Sequence, residues 1–168
     1  MEFAVTIIGR DRVGIVADVA GRLAALGANL TDSTMTLLRG HFAMTLICTA
    51  QAAAEQVREA LGDLSGELLV SVGEVGGDGP PAVDGSSYVV SVYGADRLGI
   101  VAAVARALAA AGGNITDLST RLTGTLYVLI AEVDLPRDAV DDLTKRLDEL
   151  GAALEVEVSL RPSEADLL

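Results

Sequence analysis

The chain contains one segment twice. Residues 9–32, GRDRVGIVADVAGRLAALGANLTD, return 85 positions later as residues 94–117, GADRLGIVAAVARALAAAGGNITD. Aligned without a gap, 16 of the 24 positions are identical, Asp11/Asp96, Arg12/Arg97, Gly14/Gly99, Gly27/Gly112, Asn29/Asn114 and Asp32/Asp117 among them. Solenoid units run about 20–50 residues, so a period near half the chain points instead to two copies of one domain. Several retained positions are polar or Gly residues at element ends, which packing alone explains poorly. The loop and helix start they mark are the first place to look for function.

The hydrophobic pattern gives each copy the same order of elements. Phe3, Val5 and Ile7 alternate with Glu2, Ala4 and Thr6, a strand period. Gly9 to Arg12 interrupts it, and Asp11 is placed to cap a helix by accepting a bond from a first-turn N–H. Ile15, Val16, Val19, Ala20, Leu23 and Leu26 mark one face of that helix, and Gly27 fits a left-handed stop. A strand to Leu38, a turn at Arg39-Gly40 and a strand from His41 to Thr49 follow. A helix from near Ala52 turns Val57, Ala60, Leu61 and Leu64 inward, and Leu68, Val70 and Val72 alternate along a closing strand. The run Gly76-Gly77-Asp78-Gly79-Pro80-Pro81 cannot hold an element interior. The expected organisation is a first domain at 1–76, a Gly/Pro linker at 77–86, a second domain at 87–162 and a polar tail at 163–168.

The second copy repeats the scheme. A strand covers Tyr88–Gly94, a helix Leu98–Ala111, and Ile115–Leu122 with Leu126–Val133 a hairpin. Pro136 is expected to open a helix with Val140, Leu143, Leu147 and Leu150 inward, and Leu154, Val156, Val158 and Leu160 to line the last strand. Each copy reads βαββαβ. Two right-handed crossovers of that kind interleave into a four-stranded antiparallel sheet with both helices on one face, the ferredoxin-like α+β arrangement. One face and one edge strand stay free, which suits side-by-side packing of the copies and a homodimer.

Composition removes several functions. A net charge of −12, about −5 and −7 in the two halves, leaves no basic surface for duplex phosphates or anionic membranes. Cys48 is the one cysteine, which excludes an internal disulfide framework and suits a reducing cytoplasm. The N-terminus opens directly on a strand pattern, and no apolar run approaches the ~18 residues of a membrane helix, so a cytoplasmic protein is expected. His41 and Cys48 stand seven apart on a strand, on opposite faces, and cannot share a metal. No phosphate loop, dinucleotide fingerprint or nucleophile with a base in reach appears, so neither cofactor nor enzymatic activity is expected.

The repeated polar set is left. Gly14 and Gly99 fall inside the expected first helical turn, where Gly costs roughly 1 kcal/mol against Ala. Something must therefore approach the backbone there, either a neighbouring element or a small ligand drawn to the positive helix end. Arg12 and Arg97 either meet an anion or point into water. Asn29 and Asn114 open the next strand, on what reads as the same side of the domain as the loop. Their carboxamides suit an amino acid's charged groups, or simply follow Gly at a helix exit. Asp32 and Asp117 read as solvated strand carboxylates.

At these two segments the chain resembles the ACT domain, a small amino-acid-sensing module with a strand, a G-x-D-R-P-G-[IL]-[VL] loop and helix, and G-x-N-[IL] entering the next strand. Tandem copies without a catalytic domain are similar to glycine-cleavage-system repressor-like proteins. The resemblance implies effector binding at interfaces between ACT domains, with the G-x-N segment coming from a nearby or neighbouring domain. It places ligand contacts at Asp11, Arg12, Gly14, Ile15, Asn29 and Leu30, and at Asp96, Arg97, Gly99, Ile100, Asn114 and Ile115. It further implies a regulatory protein with an amino-acid effector and a protein partner. The usual Pro before Gly is Val13 in one copy and Leu98 in the other, which loosens the loop.

Overall fold

A computed structural model of the protein describes residues 1–62, 64, 66–76 and 85–163. The chain divides into two compact units, 1–79 and 80–168. The first contains β1 (Glu2–Arg10), α1 (Ile15–Ala25), β2 (Asn29–Leu38), β3 (His41–Thr49), α2 (Ala54–Gly62) and β4 (Leu68–Glu74). The second contains β5 (Gly85–Ala95), α3 (Ile100–Ala110), β6 (Asn114–Thr123), β7 (Leu126–Pro136), α4 (Val140–Leu154) and β8 (Val156–Pro162), with a 3-10 turn at Arg137–Ala139. The sheets are ordered β2-β3-β1-β4 and β6-β7-β5-β8, with every neighbouring pair antiparallel. Both units are thus ferredoxin-like, as the element order predicts.

The strand period puts one side of each sheet under the helices. Phe3, Val5 and Ile7 of β1 and Phe42, Met44, Leu46 and Cys48 of β3 are buried with Ile15, Val19 and Leu23 of α1 and Val57 and Leu61 of α2. In the second unit Val90, Val92, Leu129, Ala131, Val133 and Leu135 meet Ile100, Val104, Leu108, Leu143 and Leu147. Burying each such side chain is worth about 1.5–3 kcal/mol, which is what a small unit has to set against chain entropy. The opposite face of the first sheet carries Thr34, Thr45, Thr6 and Ser71 in one row across all four strands, with the exposed Ile8 and Leu69 beside it.

Several element ends differ from the sequence expectation. Helix α1 is capped by Gly14, not Asp11, and among the described residues no side chain caps its first-turn N–H groups. Helix α2 starts at Ala54 because the Gln56 side chain accepts the Ala53 N–H at 2.9 Å, half of a capping box. Pro136 ends β7 rather than opening a helix: its φ of −56° and ψ of 138° are extended, and the 3-10 turn intervenes before α4. Leu154 belongs to α4, and the turn into β8 comes at Glu155, whose φ is 55°. Both first helices stop as expected. Gly27 N–H donates to Ala24 and Ala28 N–H to Leu23, and Gly112 and Gly113 repeat this on Ala109 and Leu108. Strand β5 already includes Gly85 and Ser86, while residues 77–84 of the expected linker and 164–168 of the tail lie outside the described residues.

Candidate functional site

The strand-to-helix loops have the same backbone in both units. Gly14 has φ 90° and ψ 1°, and Gly99 has φ 89° and ψ 7°, left-handed geometry that costs an L-residue about 1–2 kcal/mol. This conformation is what demands Gly. A Cβ at either position would meet nothing within 4 Å, so the expected close approach is absent there. It occurs instead at the repeated Gly9 and Gly94, where a Cβ would fall 2.8 Å from the Glu67 carbonyl oxygen and 2.7 Å from Val156 Cγ1. The loops are fastened from below: Ile15 and Ile100 are 2% exposed and anchor the helix starts in the core. Val13 and Leu98, just before the capping Gly, are 99% and 102% exposed. Each loop therefore presents an apolar tip beside helix N–H groups that have no intrahelical acceptor. Asp11 serves the loop through its backbone, its N–H donating to the Gly40 carbonyl at 3.1 Å.

The arginines are engaged within their own units, and differently. Arg12 Nη2 lies 2.8 Å from Asp18 Oδ2, and its Nε donates to Glu67 Oε2 at 2.9 Å. The hydrogen bond to Asp18, then that to Glu67, pushes the guanidinium pKa above its already high ordinary value. Among the described residues Arg97 has a single carboxylate partner, Glu155 Oε2 at 2.6 Å from Nη2. All of these groups are substantially exposed, and exposed ion pairs contribute little to stability. They orient the loop more than they hold the fold.

The Asn residues are not beside the loops of their own units, contrary to the sequence expectation. Asn29 is level with Thr49 and Glu2, where β1 begins, whereas the loop follows Arg10, level with His41 and Leu38. Asn114 likewise pairs with Asp134, level with Ser87 near the start of β5. A right-handed crossover makes β1 and β2 run in the same direction, so α1 returns the chain to its starting end. The ten residues of β2 span about 30 Å, and the two halves of the motif sit at opposite ends of the sheet. Leu30 and Ile115 pack against the cores, and Asn29 and Asn114 are exposed. A register shift at Thr31 and again at Thr116 follows, which turns Asp32 and Asp117 to the face away from the helices.

An open cleft of about 520 Å³ lies at the second loop, lined by the residues from Asp96 to Ala102 and by Tyr127. Tyr127 pairs with Gly94, which brings its ring under the loop. Asp18, Glu67, Glu155 and Tyr127 escaped the sequence reading. The repeat alignment held the signal for two of them, since Asp18 faces Ala103 and Phe42 faces Tyr127 at the same 85-residue offset. Among the described residues no group of three His, Cys, Asp or Glu is placed to hold a metal, and no helix is long and apolar enough to cross a membrane.

Known proteins give the same picture. A UPF0237 protein of Listeria monocytogenes is 36% identical over 67 residues, 40% of this chain and 75% of that protein. One from Methanocaldococcus jannaschii is 41% identical over 75 residues, 44% of this chain and 83% of its own. Across both units, the crystal structure of an unknown protein from Galdieria sulphuraria has a TM-score of 0.83 at 30% identity, covering 96% of this chain and 98% of that one. A candidate glycine cleavage system transcriptional repressor shares the fold, with a TM-score of 0.68 at 21% identity and 96% of each chain covered. Residues 2–73 and 86–161 both match the ACT domain, a ligand-binding regulatory module, and the chain therefore belongs to the ACT-domain family as a tandem pair.

Proposed function

We propose that this protein is a non-enzymatic sensor: a small ligand, an amino acid, binds where ACT domains meet, and the bound state alters the affinity of a protein partner. The observation that carries this reading is the separation of the repeated motif. A Gly-capped helix start with free N–H groups lies at one end of each sheet, and a carboxamide that suits the same ligand lies about 30 Å away at the other. One domain holds half of the set at each end, so a complete set needs a second domain. Strands β2 and β6 are sheet edges, and antiparallel pairing of such an edge with that of another ACT domain brings the Asn end of one strand to the loop end of the other.

In this reading the chain is a homodimer in the cytoplasm, a setting that the single free thiol Cys48 suits. Its output is a protein, such as a regulator of amino-acid metabolism with glycine cleavage among the candidates. Nucleic acid is a poor target for a chain of net charge −12. Sensing of this kind requires unequal ligand affinity for two arrangements, typically about 1–3 kcal/mol of coupling. The test is thermal-shift screening against the twenty amino acids at millimolar concentration, with light scattering for mass. One or a few amino acids are expected to raise the melting temperature by several degrees; a flat panel refutes sensing.

A second reading is a ligand-free dimerisation module. The internal pairing of Arg12 with Asp18 and Glu67 favours it for the first copy, because that guanidinium already has its anions. A dimer that ignores the whole panel and still captures a protein partner would decide for this reading.

A further inference from the structure

We propose that the helix-free face of the first sheet is an interface with the same face of a second copy of this chain, related by a two-fold axis that lies between the faces and across the strands. This contact is separate from the pairing of sheet edges and stands whether or not a ligand binds.

The face is arranged about its middle row. Outward residues fall into rows across the strands, and Thr34, Thr45, Thr6 and Ser71 are the central one. On β3, β1 and β4 the next row toward the loop end holds Ala43, Ile8 and Leu69. The row on the other side holds Ile47, Ala4 and Gly73. A two-fold of this kind reverses the strands and lays each one over its own copy. Leu69 then meets Gly73 of the second copy, Ile8 meets Ala4 and Ile47 meets Ala43. Large stands over small in all three pairs, with the short hydroxyl row at the axis. Sheets stacked face to face sit about 10 Å apart, and their side chains must interdigitate in that way.

Two further observations point to a copy as the cover. Gly73 stands inside β4, where Gly weakens a strand, and its φ is not left-handed. A Cβ there would meet nothing within 4 Å, so among the described residues nothing requires the missing side chain. A close approach from outside does. Charge supplies the second observation. Glu2 begins β1 on this face and Arg10 ends it, about 27 Å away along the strand. Neither side chain has an ion pair among the described residues. The same axis sets each Arg10 over the Glu2 of the second copy, so the pair forms twice. Ile8 and Leu69, 44% and 73% exposed, are covered by the same contact.

The second sheet lacks the pattern. Val89 and Tyr93 stand where Ala4 and Ile8 do, large over large, Ile130 replaces Thr45 in the central row, and Arg161 takes the place of Gly73. One unit of each chain thus makes the contact, which closes a pair of copies instead of extending a fibre.

The test is the mass of the full chain by sedimentation equilibrium at high micromolar concentration. The wild type is expected as an even multiple of the chain mass. Gly73→Leu, Arg10→Glu and Glu2→Arg should each halve that mass and weaken self-association about tenfold or more. Far-ultraviolet circular dichroism should not change, because Gly73 has room for a side chain within its own unit. Mixing Arg10→Glu with Glu2→Arg should restore the assembly, since both contacts then join opposite charges. If Gly73→Leu disturbs the spectrum, that charge rescue decides alone. A monomeric wild type, a folded Gly73→Leu chain of unchanged mass, or charge variants that stay apart on mixing would overturn the interface. An assembly that ignores all three substitutions removes this face and leaves edge pairing. A flat amino-acid panel beside an intact charge rescue removes sensing and leaves the face.

Discussion

The two copies agree in backbone and disagree in side chains. Gly14 and Gly99 differ by 1° in φ, the helix exits repeat the same two hydrogen bonds, and the strand irregularities fall at equivalent threonines. Around the loop, Asp18 becomes Ala103, Phe42 becomes Tyr127, and among the described residues a two-carboxylate clamp on Arg12 becomes a single pair on Arg97. A left-handed turn or a close strand approach tolerates few residues, so duplication preserves it. Exposed charges and cleft-lining rings are tolerant, and there the copies diverge. Identity between repeats therefore marks scaffold as often as it marks site.

The largest expected effect separates the floor rings. Phe42→Ala should cost about 3–5 kcal/mol, the usual loss for a sealed aromatic. Tyr127→Ala should cost clearly less because its ring is only partly buried, and denaturant titration of both variants makes the comparison. Equal losses would mean that the second floor is as closed as the first. Next come Gly14→Ala and Gly99→Ala, each expected to destabilise by about 1–2 kcal/mol through left-handed strain alone. Unequal losses would show that the shared geometry does not carry equal strain.

A smaller effect is tied to pH. Cys48 is fully buried and corresponds to Val133 in the repeat alignment. Burial raises its pKa above the ordinary value of about 9.0, so the folded chain holds the thiol proton where the unfolded chain releases it. This contribution to stability is complete below pH 9.0 and is lost as pH rises through the raised value. Cys48→Val should therefore be nearly neutral at pH about 7 and should flatten the alkaline decline of stability. The smallest change is expected for Arg12→Gln and Arg97→Gln, whose exposed pairs should barely move the melting temperature, even less in high salt. A large loss for Arg12 alone would show that its double clamp holds the fold as well as the loop.

Much of this was legible in the sequence, for identifiable reasons. Alternation and helical stripes fixed both cores, because Phe3, Val5 and Ile7 or Leu143 and Leu147 can satisfy only one face. The rest depended on three-dimensional direction. Nothing local in Gly14-Ile15 distinguishes a capping position with positive φ from a first-turn position, and Asp11 looked the better cap by residue type. Leu154 continues the period of α4 as well as that of β8, so only the turn at Glu155 assigns it. The position of Asn29 follows from the sense of β2, a property of the crossover that no residue near Asn29 encodes.

The exchange of Phe42 for Tyr127 has an optical counterpart. The chain has no tryptophan; Phe3 and Phe42, its two phenylalanines, lie in the first copy, and Tyr88, Tyr93 and Tyr127, its three tyrosines, in the second. Tyrosine absorption and emission therefore report one copy while the other stays silent. Far-ultraviolet circular dichroism sees both, so a difference between the two signals during unfolding or titration identifies which half of the molecule responded.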